Sequence, residues 1–310
     1  MSQSLSFNTV DVFTDTAFTG NPLAIVHVPN NIALTQDQKQ KIAIEFNFSE
    51  TVFLHQPLSN APSATYKVDI FTPKSELPFA GHPTIGTACY IFENLEQGRS
   101  DATLVLKAGE VKATFDRSKT SAGAAIPHDF REHANKISWD RIVASQSTLA
   151  SNTMKNTKST VVSIVKGMNF VLIDLTPQPE LLDHVKVTID DIPIPEDLDE
   201  GWPGTLMGSL FFVLLPDQGD DVIRVQQRMI SIGVEDPATG SASTALCSYL
   251  ALKKGVEGSR NHVFELVQGV EMGRRSVIGC EVLLKADGKS IDTVLLTGQT
   301  KAMMKGELTV

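Results

Sequence analysis

Three ionisable residues stand in settings where they could move protons. Glu50 lies in Asn47-Phe48-Ser49-Glu50-Thr51-Val52-Phe53. A lone carboxylate flanked by Phe48, Val52 and Phe53 is partly desolvated, which raises its pKa toward the range of a general acid/base. The plainer alternative is a solvated strand residue. His82 stands before Pro83 in Phe79-Ala80-Gly81-His82-Pro83-Thr84-Ile85-Gly86-Thr87-Ala88. A helix start there favours the neutral imidazole, which can pass protons in either direction. A capping or core histidine is the other reading. Asp236 opens Asp236-Pro237-Ala238-Thr239-Gly240-Ser241. It reads either as the N-cap of a following helix or as a catalytic carboxylate.

Both turns run into helices of small residues. Pro83 suits the first helical position, where a missing N–H costs nothing, and Gly86, Thr87 and Ala88 keep the first turns thin. Free N–H groups at such a start form an anion site, and Thr239-Gly240-Ser241 adds hydroxyls for a carboxylate. Other chemistries lack their patterns. There is no G-x-x-x-x-G-K-[ST], no G-x-G-x-x-G after the first strand and no G-x-S-x-G elbow. No C-x-x-C or H-x-x-x-H spacing suggests a metal. Cys89 and Cys247 fall inside the two helices and read as buried, small apolar residues.

The elements that must position these groups follow from pattern. Strands are expected at Leu5–Phe13, Leu23–Val28, Val52–His55 and Tyr66–Phe71. Thr35 and Gln38 have capping-box spacing for a helix reaching Phe46, with Ile42, Ala43 and Phe46 inward. A second helix runs from the His82 turn to about Leu95. Ala102–Leu106 and Val111–Phe115 form a hairpin. The stretch from Arg117 to Asp129 is rich in Ser, Ala and Gly without periodicity, and the lobe boundary is placed there. Residues 131–160 carry little pattern. Val161–Val165 and Asn169–Leu175 read as a hairpin, 179–185 as a short helix, 192–204 as a loop and 210–215 as a strand. Residues 222–229 read as either strand or helix. The last helix ends near Leu252, before Lys253-Lys254-Gly255. Strands at 263–267, 276–284, 293–296 and 301–305 close the chain. Two strong helices at matching places in two halves point to an internal duplication.

Bulk properties agree with a two-lobed globular chain. It has 310 residues, 42% hydrophobic and 20% charged, with 27 basic against 36 acidic side chains and a net charge of −9. No basic stripe marks a nucleic-acid footprint. Met1-Ser2-Gln3-Ser4 shows no secretory signal, and no apolar run reaches membrane-spanning length. Three widely spaced cysteines suit free thiols in a reducing compartment, so a cytoplasmic location is expected.

Several segments, in order, resemble the phenazine-biosynthesis isomerase (PhzF-like) family. They are Val10-Asp11-Val12-Phe13-Thr14 with Gly20-Asn21-Pro22-Leu23-Ala24, Ser49-Glu50-Thr51, Phe71-Thr72-Pro73 with Glu76-Leu77-Pro78-Phe79-Ala80-Gly81-His82-Pro83-Thr84, and Glu235 to Ala242. Gln268-Gly269, Met272-Gly273-Arg274 and Lys305-Gly306-Glu307-Leu308 also match. The resemblance spans nearly the whole chain, although residues 117–205 match no motif. It implies an α+β, diaminopimelate-epimerase-like fold: two similar lobes, each a curved, mostly antiparallel sheet around a central helix, with the site between them. The expected lobes are 1–122, with 297–310 returning to it, and 123–296. It implies a cofactor-free proton shift on a small unsaturated or cyclic carboxylic acid, and a homodimer. By motif match Glu50 is the general acid/base, and His82 and Asp236 assist proton handling. Ser49, Gly81, Gly240 and Ser241 lie near a substrate carboxylate. Related racemases use two opposed cysteines, and neither turn here carries one, which argues against a two-thiol mechanism. An epimerase of the same fold and a non-catalytic binding protein are the alternatives.

Overall fold

The computed structural model describes residues 4–57, 64–150, 154–190, 192–256 and 259–310. Met1, Ser2 and Gln3, part of the segment read above for a signal, lie outside the described residues. The chain divides into two compact units, Met1–Ile126 with Leu296–Val310, and Pro127–Leu295.

The first unit is a sheet wrapped around one helix. Its strands are β1 (Ser4–Val12), β2 (Asn21–Val28), β3 (Glu50–His55), β4 (Thr65–Phe71), β5 (Glu76–Leu77), β6 (Asp101–Leu106), β7 (Gly109–Asp116), β8 (Ser121–Ala125) and the last strand of the chain, β20 (Thr300–Thr309). Neighbours run β20-β1-β2-β3-β4-β6-β7-β8. The pairs β2–β3 and β4–β6 are parallel and the rest antiparallel, while β5 folds back on β4. Helix α1 (Gln36–Phe46) starts with both bonds of a capping box, between Thr35 and Gln38. It covers one face through Ile42 and Ala43, which join Leu5, Val26, Phe53 and Phe71. Helix α2 (Gly81–Tyr90) packs against β1, β2, β3, β6, β7, β8 and β20 and buries every residue from Gly81 to Cys89. A helix apolar all round belongs inside a core. A Cβ at Gly86 would lie 2.5 Å from Leu23 Cδ2, so glycine sets how closely α2 meets the sheet.

The second unit repeats this plan. Its strands are β9 (Arg131–Ser138), β10 (Lys158–Ser163), β11 (Asn169–Asp174), β14 (Leu206–Leu214), β15 (Val222–Ser231), β16 (Val234–Asp236), β17 (Asn261–Gln268) and β18 (Ser276–Leu284). A short hairpin, β12 (Asp197–Asp199) with β13 (Trp202–Pro203), forms its own sheet. Neighbours run β9-β10-β11-β14-β15-β17-β18, with β11–β14 and β15–β17 parallel and β16 folded back on β15. The first unit shows the same succession of parallel and antiparallel pairs from β20 to β7. Helix α3 (Trp139–Ser145) is short, and α4 (Gly240–Lys254) packs against β10, β11, β17 and β18 as the counterpart of α2. Strand β19 (Ile291–Gly298) brings the chain back to the first unit.

Several expectations need correction. Pro83 is the third helical residue, because α2 begins at Gly81; its missing N–H still falls in the first turn, where no intrahelical acceptor exists. The patternless stretch from Arg117 holds β8, whose Ala122, Gly123 and Ala124 are buried against α2; small residues there reflect close packing. Residues 131–160 hold β9, α3 and the start of β10, and the 192–204 loop includes the β12–β13 hairpin. Residues 222–229 are strand. Among the described residues, no helix is long and apolar enough to cross a membrane.

Candidate active site

Glu50 is the first residue of β3, just past the left-handed Asn47 that ends α1. Alternation along the strand puts Val52 on its face and Phe53 on the other. Phe53 packs under α1, so it does not line the carboxylate. Leu23, directly across on β2, and the start of α2 do. The Glu50 side chain keeps 17% exposure, and His82 Nδ1 stands 3.3 Å from its Oε2. Burial pushes the carboxyl up from 4.5 to about 7, against a smaller downward pull from the Ser49 hydroxyl. The acid and its conjugate base are then similarly populated at neutral pH. Ser49 Oγ also stands 3.3 Å from Asn21 Oδ1, an alternative acceptor for its one proton, and Asn21 is buried at the head of β2.

His82 is the second residue of α2 and is 5% exposed. Gly81 is the first, preceded by Ala80, which offers no side-chain cap. The Thr84 hydroxyl instead donates to the Ala80 carbonyl at 2.7 Å. The first unit therefore brings Ser49, Glu50, Gly81 and His82 to the uncapped start of its central helix. The mouth combines a carboxyl titrating near neutrality, an imidazole in contact with it and the positive end of the helix dipole. That set can accept a proton, return it and favour negative charge on a bound group.

Asp236, Gly240 and Ser241 form the matching start in the second unit. The N-cap of α4 is Thr239, again without a side-chain cap bond, so Asp236 is not the N-cap. It lies three residues earlier, at the end of β16, where its Oδ2 accepts from the Thr239 hydroxyl at 2.5 Å. The Ser243 hydroxyl donates to the Thr239 carbonyl at 2.9 Å, as Thr84 does to Ala80.

Of the residues behind this turn, sequence reasoning named Gln268 and Glu235 within matched motifs without giving either a role, and passed over Gln227 and Arg228. Gln227 and Gln268 are fully buried and hydrogen-bonded to each other. Gln268 reaches the Asp236 carbonyl and Thr239. Arg228 grips Glu235 with two 2.8 Å bonds. Two glutamines in otherwise strand-like runs were the available signal.

The cysteines are all buried. Burial pushes the Cys89 thiol up to about 12, and the Cys247 thiol also rises. Among the described residues no group of three His, Cys, Asp or Glu side chains could hold a metal ion. Large cavities of the first unit lie elsewhere. One of about 710 Å³ runs along α1 and β20, and one of about 700 Å³ is lined by His27, His55, Tyr66 and Tyr90. The chemistry of the groups, more than concavity, marks the site.

Similarity to known proteins agrees with this architecture. An uncharacterized isomerase of Pasteurella multocida is 30% identical over 98% of this chain and 94% of its own. A predicted epimerase from Pseudomonas aeruginosa has a solved structure that superposes with a TM-score of 0.72 at 26% identity, covering 98% of this chain and 99% of that one. A PhzF-family phenazine biosynthesis protein from Bacillus anthracis has the same fold, with a TM-score of 0.73 at 20% identity over 99% of this chain and 100% of that one. The model of the phenazine biosynthesis-like protein family matches residues 10–306, and the chain belongs to that family.

Proposed function

We propose that this protein is a cofactor-independent isomerase acting on a small unsaturated or cyclic carboxylic acid, with Glu50 as general acid/base. The observation that carries the reading is the Glu50 carboxyl, held near 7 by burial and 3.3 Å from His82 at an uncapped helix start. In the proposed step the Glu50 carboxylate takes a proton from an acidic C–H. The bonding electrons pass into the adjacent unsaturated or carboxylated system. The same carboxyl then returns a proton to another carbon. Moving one proton over a short distance in a sheltered pocket is work a single carboxylate can do. His82 assists proton handling. Ser49 and Gly81 in the first unit, and Gly240 and Ser241 in the second, hold substrate negative charge, and Asp236 orients the substrate.

The test is hydrogen exchange at carbon. A panel of unsaturated and cyclic carboxylic acids is incubated with the protein in heavy water and followed by proton NMR. Exchange with the wild type and none with Glu50→Gln is the expected result. Full exchange in that variant overturns the role of Glu50.

A second reading, epimerisation at a carbon next to a carboxylate, is favoured by the 26% identity to the predicted epimerase. Inversion changes circular dichroism, whereas double-bond migration shifts ultraviolet absorption, so one titration of the exchanging acid separates them.

A further inference from the structure

The two units differ in what lies behind their helix starts. Phe71 and Ile70 pair with Glu76 and Leu77 in the first unit; Ile230 and Met229 pair with Glu235 and Asp236 in the second. Four residues after Leu77 comes Gly81, and four after Asp236 comes Gly240, each the first residue of its helix. The turns thus correspond residue by residue: Leu77 with Asp236, Pro78 with Pro237, Ala80 with Thr239, Thr84 with Ser243. Counting back three along β4 and β15 equates Val68 with Gln227. Gln227 pairs with Gln268. In the first unit Tyr66 pairs with Leu104 and Lys67 with Val105, and one more step places Leu106 beside Val68. Where the first unit buries a valine and a leucine, the second buries two amides.

The amides form a directed chain. Gln268 Nε2 lies 2.7 Å from the Asp236 carbonyl, which can only accept, so the orientation of that amide is fixed. The same Nε2 donates to Thr239 Oγ1 at 3.2 Å, and Oε1 accepts from the Thr239 N–H. With its oxygen accepting from Gln268, the Thr239 hydroxyl turns its one proton to Asp236 Oδ2. Gln227 Nε2 holds Gln268 Oε1 and Ser243 Oγ, both at 2.7 Å. Gln227 Oε1 is buried and finds no hydrogen-bond partner among the described residues. Leaving such an atom unmatched is costly, and the fold does not require it, since the first unit closes the same place with Val68 and Leu106.

We infer that Gln268, held by Gln227, is a positioning residue: it directs the Thr239 hydroxyl onto Asp236 and so fixes the Asp236 carboxylate for the substrate. The assignment rests on the proposed function of Asp236 and adds the groups that aim it. Gly269 supports it. Its φ is +74°, and a Cβ there would stand 2.7 Å from the Pro237 carbonyl, so glycine lets Gln268 come up against this turn.

The test copies one unit into the other. The Gln227→Val/Gln268→Leu double variant carries the first unit's apolar pair. It is expected to fold, with a cooperative thermal transition. In the wild type, the Thr239 hydroxyl proton, assigned by its loss in Thr239→Val, gives a protected downfield NMR signal. The double variant loses that signal. With an acid from the panel that exchanges, kcat falls about 100-fold, as expected when a reacting group is misplaced, while KM changes little. Gln268→Met is the second variant. Its side chain has no N–H to donate to the Asp236 carbonyl or to Thr239 Oγ1, and the same two losses are expected. A folded variant that keeps the hydroxyl signal at its wild-type position overturns the inference. So does an unchanged kcat. If no panel acid exchanges with the wild type, the proposed function fails, and the hydroxyl signal alone decides this assignment.

Discussion

Glu76-Leu77-Pro78-Phe79-Ala80-Gly81 and Glu235-Asp236-Pro237-Ala238-Thr239-Gly240 are one turn built twice. Each leads from a two- or three-residue strand into a buried helix whose fourth residue bonds back to the N-cap carbonyl. Each is pinned by an ion pair on its glutamate: Lys107 to Glu76 at 2.6 Å, Arg228 to Glu235 at 2.8 Å. The difference lies in where the ionisable group comes from. In the first unit the turn is apolar, and the carboxyl arrives from β3 as Glu50, with His82 beside it. In the second unit the turn itself carries Asp236, and β14, the counterpart of β3, opens with Leu206-Met207. The fold supplies a helix start without a side-chain cap in both places. Which charge stands at that start is decided by single residues, which is how one repeated scaffold can hold two unlike chemical settings.

The sharpest break in the comparison is Glu50→Gln. It should lower carbon-bound hydrogen exchange by about 10,000-fold, to below detection, the upper reach of a positioned acid/base. Asp236→Asn, which leaves Glu50 intact, should lower it by less, about 100-fold in kcat with little change in KM, as the Gln227→Val/Gln268→Leu variant does. Equal losses would mean that the two mouths share the proton-transfer role.

A stability measurement tests the same asymmetry without substrate. The Glu50 pKa is raised from 4.5 to about 7 in the folded state. Between those values the native protein keeps a proton that the unfolded chain releases. The contribution is therefore favourable at low pH, is lost as pH rises through about 4.5 to 7, and stays lost above. Two and a half pKa units correspond to at most about 3 kcal/mol. Urea denaturation should show Glu50→Gln more stable than the wild type by up to that amount at pH 8, with little difference at pH 4. A constant difference across the range would show that Glu50 is not desolvated in the native state.

These settings were unequally legible in the sequence. The capping box, the hairpins and both central helices announced themselves through periodicity and turn residues, because local preference and tertiary role agree there. Glu50, His82 and Asp236 drew attention by type and by the resemblance of their motifs. Gln227 did not, and Gln268 stood in a matched Gln-Gly motif without a role, because the meaning of the pair lies in a β15–β17 contact between residues 41 positions apart. Strand β8 was hidden for another reason. Its small residues answer to the surface of α2, and a Ser-Ala-Gly-Ala-Ala run carries no alternation to read. The face of Glu50 was also misjudged by proximity in sequence: Phe53 is near in the chain and on the far side of the strand.

The two back-bonding hydroxyls offer a finer contrast. Thr84→Val removes one hydrogen bond to the Ala80 carbonyl, which keeps the Thr84 N–H at 3.3 Å. A loss of about 1 kcal/mol is expected. Ser243→Ala removes the corresponding bond and also strips a buried acceptor from Gln227 Nε2. Its cost should be about 2 kcal/mol, since an orphaned buried donor adds its desolvation penalty. Chemical denaturation of both variants measures the gap. Equal costs would show that the amide chain is not tied to α4.

The smallest effect is expected at the helix start that has a complete side-chain cap. Thr35 Oγ1 accepts from the Gln38 N–H at 3.2 Å, and Gln38 Oε1 accepts from the Thr35 N–H at 3.0 Å. Thr35→Ala should cost about 1 kcal/mol, the usual worth of an N-cap. It should leave exchange kinetics at their wild-type values, because the capping box closes on α1's own groups and the α2 turn is met there only by the 3.4 Å bond from Gln36 to Glu76, which the change leaves in place. At α2 and α4 no side chain closes the first turn, although both starts are buried and a cap residue would stabilise each helix. The protein forgoes that stabilisation at α2, at α4 and at the seven-residue α3, whose N-cap Ser138 makes no side-chain bond, and takes it at α1. If Thr35→Ala altered exchange as strongly as changes at the starts of α2 and α4, the proton-transfer site would not be confined to those two helix starts.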